Sequence, residues 1–356
     1  MKNFIVLVTF LALAVSACGF AAVPSATSTL PATATSSLLN TPTIEQVLVP
    51  LNVCYSALTG TQAVVWYTYE KDLFKKYGLN VKLISIDSGT KAVTALLTGN
   101  MDICEVAGSA VVNAVAAGQD AVMIAGLYNA YPAFLMVTAS IKTAQDLKGK
   151  ALAISQPGSS TDVGTRLALK QLGLVPDKDV ALLAIGDEPA RMAAMAAGQV
   201  AGSLLTSPDT LIGRQKGYIT LLDLGATNIP YQHTGIATTR KFISTHRTEV
   251  ENFMKAVLEA IALMKKDPAG TETIMAKYLL LDPAKDAASL DDAYQTLILK
   301  SLSDIPYPST PGIQTLIDYQ SPTNASVSQL VPGEVVDVSI LKDLEGSGFI
   351  ANLGKP

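Results

Sequence analysis

The chain has 356 residues, 49% hydrophobic and 16% charged, with 26 Lys and Arg against 30 Asp and Glu, a formal net charge of −4. That mildly acidic balance gives no sign of nucleic-acid binding, and three cysteines are too few for a disulfide framework. Past the N-terminal segments, roughly 310 residues exceed what one hydrophobic core usually serves, so two lobes are expected.

The chain opens with an export signal over residues 1–17. Lys2 gives the positive start, Phe4 to Val15 form an apolar run too short to cross a bilayer, and Val15-Ser16-Ala17 supplies small residues. Small residues directly before Cys18 resemble the bacterial lipobox. That resemblance implies a diacylated Cys18 as the new N-terminus, and two acyl chains suffice for stable anchoring to a membrane without crossing it. Residues 18–46 follow as an Ala/Ser/Thr/Pro-rich tether, uncharged from Ala21 to Thr43.

From Val47 onward, short apolar runs alternate with amphipathic stretches, the pattern of α/β units with parallel strands. Strands are expected at Val47–Tyr55, Asn80–Ile86 and Met101–Val106, with helices at Gln62–Tyr77 and Lys91–Thr98. Gly78 stands where a helix ends, and Gly99-Asn100 makes a turn. The order then recurs. Lys150–Ser155, Val180–Ala184 and Val200–Leu205 read as strands, and Thr161–Leu172 and Pro189–Ala197 as helices.

The two halves align at an offset of 99 residues, which brings Gly99 onto Gly198 and Gly108-Ser109 onto Ser207-Pro208. Two similar lobes facing each other make a hinged clamp. Crossings between them are expected as strands at Phe134–Ala139 and Gly235–Thr239. Residues 47–137 and 236–356 then form the first lobe and 138–235 the second. Helices at Lys241–Lys265, Ala269–Leu280, Ile313–Tyr319 and Val335–Glu345 are expected to pack on the first lobe. Cys54 and Cys104 sit in apolar strand-like runs. They are able to pair in an oxidising compartment, but a reduced, buried thiol at each is the simpler reading.

In open α/β sheets, ligands bind beyond the carboxyl ends of the strands, where loops lead into helix N-termini. Four such loops carry small hydroxyl or glycine residues in place of bulk: Ser56 to Thr61, including Thr59 and Gly60; Ser88, Gly89 and Thr90; Gly108 and Ser109; and Gly158, Ser159, Ser160 and Thr161. Each offers backbone N–H groups and a hydroxyl at the positive end of a helix dipole, suited to an oxyanion. Taken singly, several of these residues serve equally well as N-caps; convergence of the four loops from both halves points to a binding cleft. Ser207 joins the set through its equivalence to Gly108. Trp66, the only tryptophan, either covers an apolar ligand face or packs between helix and sheet. Tyr128, Tyr131, Tyr231 and His233 flank the crossings. Glu105, in an apolar strand, needs a partner from the ligand or the protein, and Arg166 is placed to pair with Asp162 one turn earlier.

Only His233 and His246 are available to a metal or catalytic site, and neither stands in a metal-ligand spacing; there is no nucleophile elbow and no phosphate loop. No cofactor or metal is expected, and the chain reads as a binder in place of an enzyme.

The stretches Val53–Ser56, Glu70–Leu79, Ser88–Val93, Leu97–Asp102, Asp146–Lys150 and His233–Thr239 carry a family resemblance. They resemble the nitrate/sulfonate/taurine-type substrate-binding proteins of ABC importers, a group that also includes binders of thiamine pyrimidine precursors. The resemblance implies a two-lobed type II periplasmic-binding fold with two crossover strands. It also implies a small anionic or heteroaromatic ligand, permease and ATPase subunits as partners, and a monomer anchored outside the cytoplasm. Ala201 stands where the group often has an aspartate matching Asp102, so polar contacts in the second lobe need not follow other members. One alternative comes with it, a histidine-consuming pyrimidine synthase with His233 as the candidate; a further alternative, apart from the resemblance, is a sensor subunit that presents ligand to a membrane receptor.

Overall fold

The computed structural model describes residues 47–353 apart from residue 323. The export signal, Cys18 and the tether over 18–46 lie outside the described residues.

Ten strands occur among the described residues: β1 Val49–Tyr55, β2 Leu79–Ser85, β3 Ile103–Ala107, β4 Val122–Gly126, β5 Ala133–Val137, β6 Ala151–Ile154, β7 Ala181–Ala184, β8 Gly202–Thr206, β9 Ile219–Asp223 and β10 Thr234–Thr238. They form two sheets, ordered β2-β1-β3-β10-β4 and β7-β6-β8-β5-β9. In each sheet one strand runs against the others: β10 is antiparallel to β3 and β4, and β5 is antiparallel to β8 and β9. The two sheets therefore repeat one topology, as the 99-residue offset requires, down to Gly99 and Gly198 with φ of 73° and 70°.

The helices are α1 Ala63–Glu70, α2 Leu73–Lys76, α3 Gly89–Leu97, α4 Gly108–Ala116, α5 Ser160–Gln171, α6 Glu188–Ala196, α7 Asp209–Gln215, α8 Arg240–Thr245, α9 Arg247–Met264, α10 Pro268–Leu279, α11 Ala287–Ala293, α12 Thr310–Gln320 and α13 Ser339–Gly346. Two expected helices are interrupted. Asp72, with φ of 52°, separates α1 from α2, and His246 separates α8 from α9. Helices α9 and α10 pack on α1, Phe253 stacks on Phe74 at 5.1 Å, and Val64, Val257 and Ile261 belong to the same apolar cluster. Helix α12 instead packs against both α4 and α5.

The crossings differ from expectation. Phe134 to Val137 already pairs in the second sheet, and Gly235 to Thr238 already pairs in the first. The chain therefore crosses at 127–132 and 224–233, just ahead of each antiparallel strand. An apolar strand and an apolar crossing look alike in sequence; pairing partners separate them.

The cysteines also differ. Cys54 and Cys104 lie opposite each other in the parallel register of β1 and β3, with Cα atoms 4.5 Å apart, and form a disulfide. The apolar setting that suggested free thiols is real, since both residues are fully buried. What the sequence hides is the register. The bridge closes a loop with a sequence separation of 50. Chain-entropy arguments give such a loop about 4 kcal/mol. The variant C54A/C104A is therefore expected to lose about 2–5 kcal/mol of unfolding free energy in urea titrations, and intact mass under non-reducing conditions will show the wild type two hydrogens lighter than its reduced form.

Candidate ligand-binding cleft

The strand ends of the two sheets face each other and share a cavity of about 40 Å3. Its walls repeat across the lobes in detail. The Ser56 N–H donates to Gln62 Oε1 at 3.1 Å, and 99 residues later the Ser155 N–H donates to Thr161 Oγ1 at 2.7 Å. Thr59 and Thr61 hydroxyls pair at 2.8 Å; Ser159 and Thr161 hydroxyls pair at 3.0 Å. Each loop is tied back to the residue that leaves its strand, which fixes the hydroxyls in place.

At the rim the lobes touch. Thr90 Oγ1 donates to Pro157 O at 3.4 Å, Asn113 Nδ2 to Gly158 O at 3.3 Å, and Ser207 Oγ to Asp292 Oδ2 at 2.6 Å. Gly60 lies against the opposite lobe so closely that a Cβ there would stand 2.7 Å from the Ser207 carbonyl oxygen.

Eight of the residues singled out in the sequence line the cavity: Ser56, Thr59, Thr61, Gly89, Tyr131, Ser160, Thr161 and His233. Others support it from outside. Ser88 caps α3 by accepting the Lys91 N–H, and Ser159 caps α5 by accepting the Asp162 N–H. Gly60, Thr90, Gly158 and Ser207 form the lobe contacts just described. Gly108 and Ser109 begin α4 beside the cavity, with the Gly108 N–H donating to His233 O at 2.9 Å. Trp66 is 0% exposed and stacks on Tyr278 at 4.8 Å within the first-lobe core, so its packing role holds and it does not line the cleft. Arg166 pairs with Asp162 at 2.7 Å as its spacing requires. Glu105 accepts the Val65 N–H at 3.2 Å, and burial holds its carboxyl well above the ordinary range.

Sequence reasoning missed Glu188 and Arg191, the charged pair at the second-lobe wall. They lie three apart at the start of α6, where such a pair normally reads as a solvated helix end. Here Arg191 is 2% exposed and its guanidinium is engaged: Nε donates to Ser203 Oγ at 2.9 Å, Nη1 to Gly186 O at 2.8 Å, and Nη2 to Glu188 Oε2 at 3.1 Å. Glu188 Oε1 accepts the Thr206 N–H at 2.7 Å. The 99-residue offset contained a signal, since it places Glu188 on Gly89, which the loop argument had already selected.

Burial is the largest influence on Glu188. With Asp209 nearby it outweighs Arg191 and the Thr206 hydrogen bonds and raises the carboxyl to about 8. Burial likewise raises Asp209 to about 6. His233 stacks on Tyr131 at 4.2 Å, and burial lowers its imidazole to about 3, so the ring is neutral. Neither ring nitrogen has a hydrogen-bond partner among the described residues. Among those residues, no group of three or more His, Cys, Asp or Glu is placed to hold a metal ion. A larger groove of about 830 Å3 lies elsewhere, against α2, α9 and the C-terminal turn, and shares no residue with the cleft.

Two sheets of one topology, joined by two crossings and meeting over a polar cavity, define a two-lobed protein of the periplasmic-binding-protein fold. Residues 47–280 match the model of the NMT1-like family, and the chain belongs to that family. No curated protein sequence matches the chain. Among solved structures, a protein of Bordetella bronchiseptica RB50 is 19% identical at a TM-score of 0.72, with 84% of this chain and 98% of that one covered. The periplasmic nitrate-binding protein NrtA of Synechocystis PCC 6803 is 13% identical at 0.69, with 84% and 89% covered. The alkanesulfonate-binding protein SsuA of Xanthomonas axonopodis pv. citri, bound to MOPS, is 19% identical at 0.64, with 83% and 97% covered.

The titrations carry a stability signature. Glu188 holds its proton in the folded state between its ordinary 4.5 and about 8, so its contribution is lost as pH rises through that window. Asp209 acts in the same sense up to about 6. His233 opposes both: folding excludes its proton, so stability is lost as pH falls from 6.5 towards 3. Above pH 6.5 only Glu188 of the three remains. The melting temperature of ligand-free protein is therefore expected to fall between pH 6.5 and 8, and Glu188→Gln to flatten that segment; a wild-type profile already level there would contradict the assignment.

Proposed function

We propose that the chain is the extracytoplasmic solute-binding subunit of an ABC-type importer, which captures a small solute between its lobes and presents the ligand-bound form to a permease and its ATPase. The observation that carries this is the cavity: its wall comes from equivalent strand ends of both lobes, so a ligand there contacts both and favours their closure through differential contacts. The NrtA and SsuA neighbours, named as nitrate- and sulfonate-binding proteins, support the same reading. The cavity holds no nucleophile–base pair, and His233 is stacked and buried, which favours a binder over the synthase alternative.

Export and anchoring belong to the same proposal. The ordered apolar run, small residues and Cys18 support lipidation, and the Cys54–Cys104 disulfide fits an oxidising compartment outside the cytoplasm. No helix of the described residues is long and apolar enough to cross a membrane. We take the lobes as 47–126 with 234–353, and 133–223, on the sheet pairings.

Closure brings Gly60 against the Ser207 carbonyl, so the contact tests the mechanism. A Cβ at Gly60 would also stand 2.6 Å from Leu297 Cδ1 in the first-lobe core, so Gly60→Ala is expected to lower the melting temperature of the ligand-free protein as well as to hold the lobes apart, and binding by the folded variant is expected to weaken at least tenfold. Binding is followed by calorimetry with the solute that co-purifies with the wild type, identified by mass spectrometry. Undiminished affinity in Gly60→Ala would count against closure at this contact.

A further inference from the structure

The two lobes meet along two lines, and the two are built differently. On the sheet faces that share one apolar cluster, α12 packs against α4 and α5, and Lys170 of the second lobe lies over the Tyr319 ring at 4.8 Å. The hydrogen bonds beside that seam are neutral, from Thr90 and Asn113 to backbone carbonyls. On the opposite faces, α11 of the first lobe meets α7 of the second.

Here a carboxylate takes part. Ser207 Oγ donates to Asp292 Oδ2 at 2.6 Å and also pairs with Thr210 Oγ1 at 3.1 Å. A hydroxyl has one proton to give, and that of Ser207 goes to Asp292, so Thr210 is the donor to Ser207. Both hydroxyl residues belong to the second lobe and are buried. They form an oriented pair aimed at an acceptor on the first lobe, and a hydrogen bond to a carboxylate is roughly twice as strong as a neutral one.

The surroundings fit the closed arrangement. Gly60 lies between the Ser207 carbonyl and Leu297, and has no room for a Cβ on either side. Leu297 belongs to the π-helical stretch Tyr294–Ser301 that continues α11, a helical form frequent at functional sites. Thr59 and Thr206, the residues before Gly60 and Ser207, line the cavity, whereas Ser207, Thr210 and Asp292 do not. The contact therefore shuts the cleft on this side without touching what is inside it. A swing of the lobes about the α12 seam parts α7 from α11 and returns Ser207 and Asp292 to water.

We propose that Asp292 is the latch of the closed cleft, a positioning residue that retains the solute through Ser207 and not by contact with it. This rests on the solute-binding reading of the same cleft. A bond that forms only on closure raises the population of the closed form, and because it touches no solute it scales every affinity by one factor.

The test is calorimetric titration of the full chain, stripped of co-purifying solute, with nitrate, methanesulfonate and taurine as probes. Each probe that binds the wild type is expected to bind Asp292→Ala and Ser207→Ala at least fivefold more weakly, by a common factor across probes. Asp292→Asn keeps an acceptor and is expected to recover part of the loss. In the double variant S207A/D292A the losses should not add, because one bond is removed twice. The melting temperature of stripped Asp292→Ala is expected to match that of the wild type. Unchanged affinity in folded Asp292→Ala would overturn the latch and leave the solute-binding function standing. Losses that add in the double variant, or that accompany an equal loss of stability in stripped protein, would overturn it too. Should the alanine variants not fold, Asp292→Asn decides: weaker binding by a common factor supports the latch, and undiminished binding removes it. Saturable binding of no probe by folded wild-type protein would remove the inference and count against the solute-binding reading as well.

Discussion

Each five-stranded sheet is completed by a strand that the chain delivers from the other side of the molecule. After β4 the chain leaves the first sheet and lands at once as β5, antiparallel, inside the second; after β9 it returns and lands as β10 inside the first. Neither lobe can close its own sheet without the crossing. The crossings at 127–132 and 224–233 are consequently fixed at both ends by full strand pairing, and this double anchorage sets the two rows of strand ends against each other. Placement of the cavity, the hydroxyl loops and His233 follows from it, since His233 immediately precedes β10.

The internal duplication reaches the hydrogen-bond level and then departs from it usefully. The pair Cys54 and Cys104 corresponds at the offset to Ala153 and Ser203. In the first lobe the two strands are joined by the disulfide; in the second, Ser203 Oγ donates to Ala153 O at 3.0 Å and accepts from Arg191. One site in the repeat thus holds a covalent link in one lobe and a polar network in the other. The polar version also brings Glu188 and Arg191 to the cavity wall, so the structural choice beneath the second sheet and the polar groups of the cleft are linked.

Much of this was legible in the sequence because it depends on local physics. Glycine turns, N-cap hydroxyls and apolar periodicity place Gly99, Ser88 and eight of the ten strands to within a few residues, while β4 and β9 have no counterpart in the sequence reading. The hidden parts depend on pairing across distance. Register decides that Cys54 meets Cys104, and sheet membership decides where a crossing ends. Burial decides that Glu188 and Arg191 form part of a wall when their spacing alone suggests a solvated helix face. Trp66 shows the same division: one turn into α1 its position is predictable, but whether its ring faces ligand or core rests on Tyr278, more than two hundred residues away.

Helix α12 has a role that its position in the chain does not suggest. It packs against α4 of the first lobe and α5 of the second, and Ile313, Leu316 and Ile317 share an apolar cluster with Val111 and Val112 on one side and Val163 and Leu167 on the other. Any parting of the lobes must shear this seam and wet part of it, an expense that grows with the angle. A binding protein arranged this way behaves less like a pair of freely swinging jaws than like a clip that opens against an apolar seam.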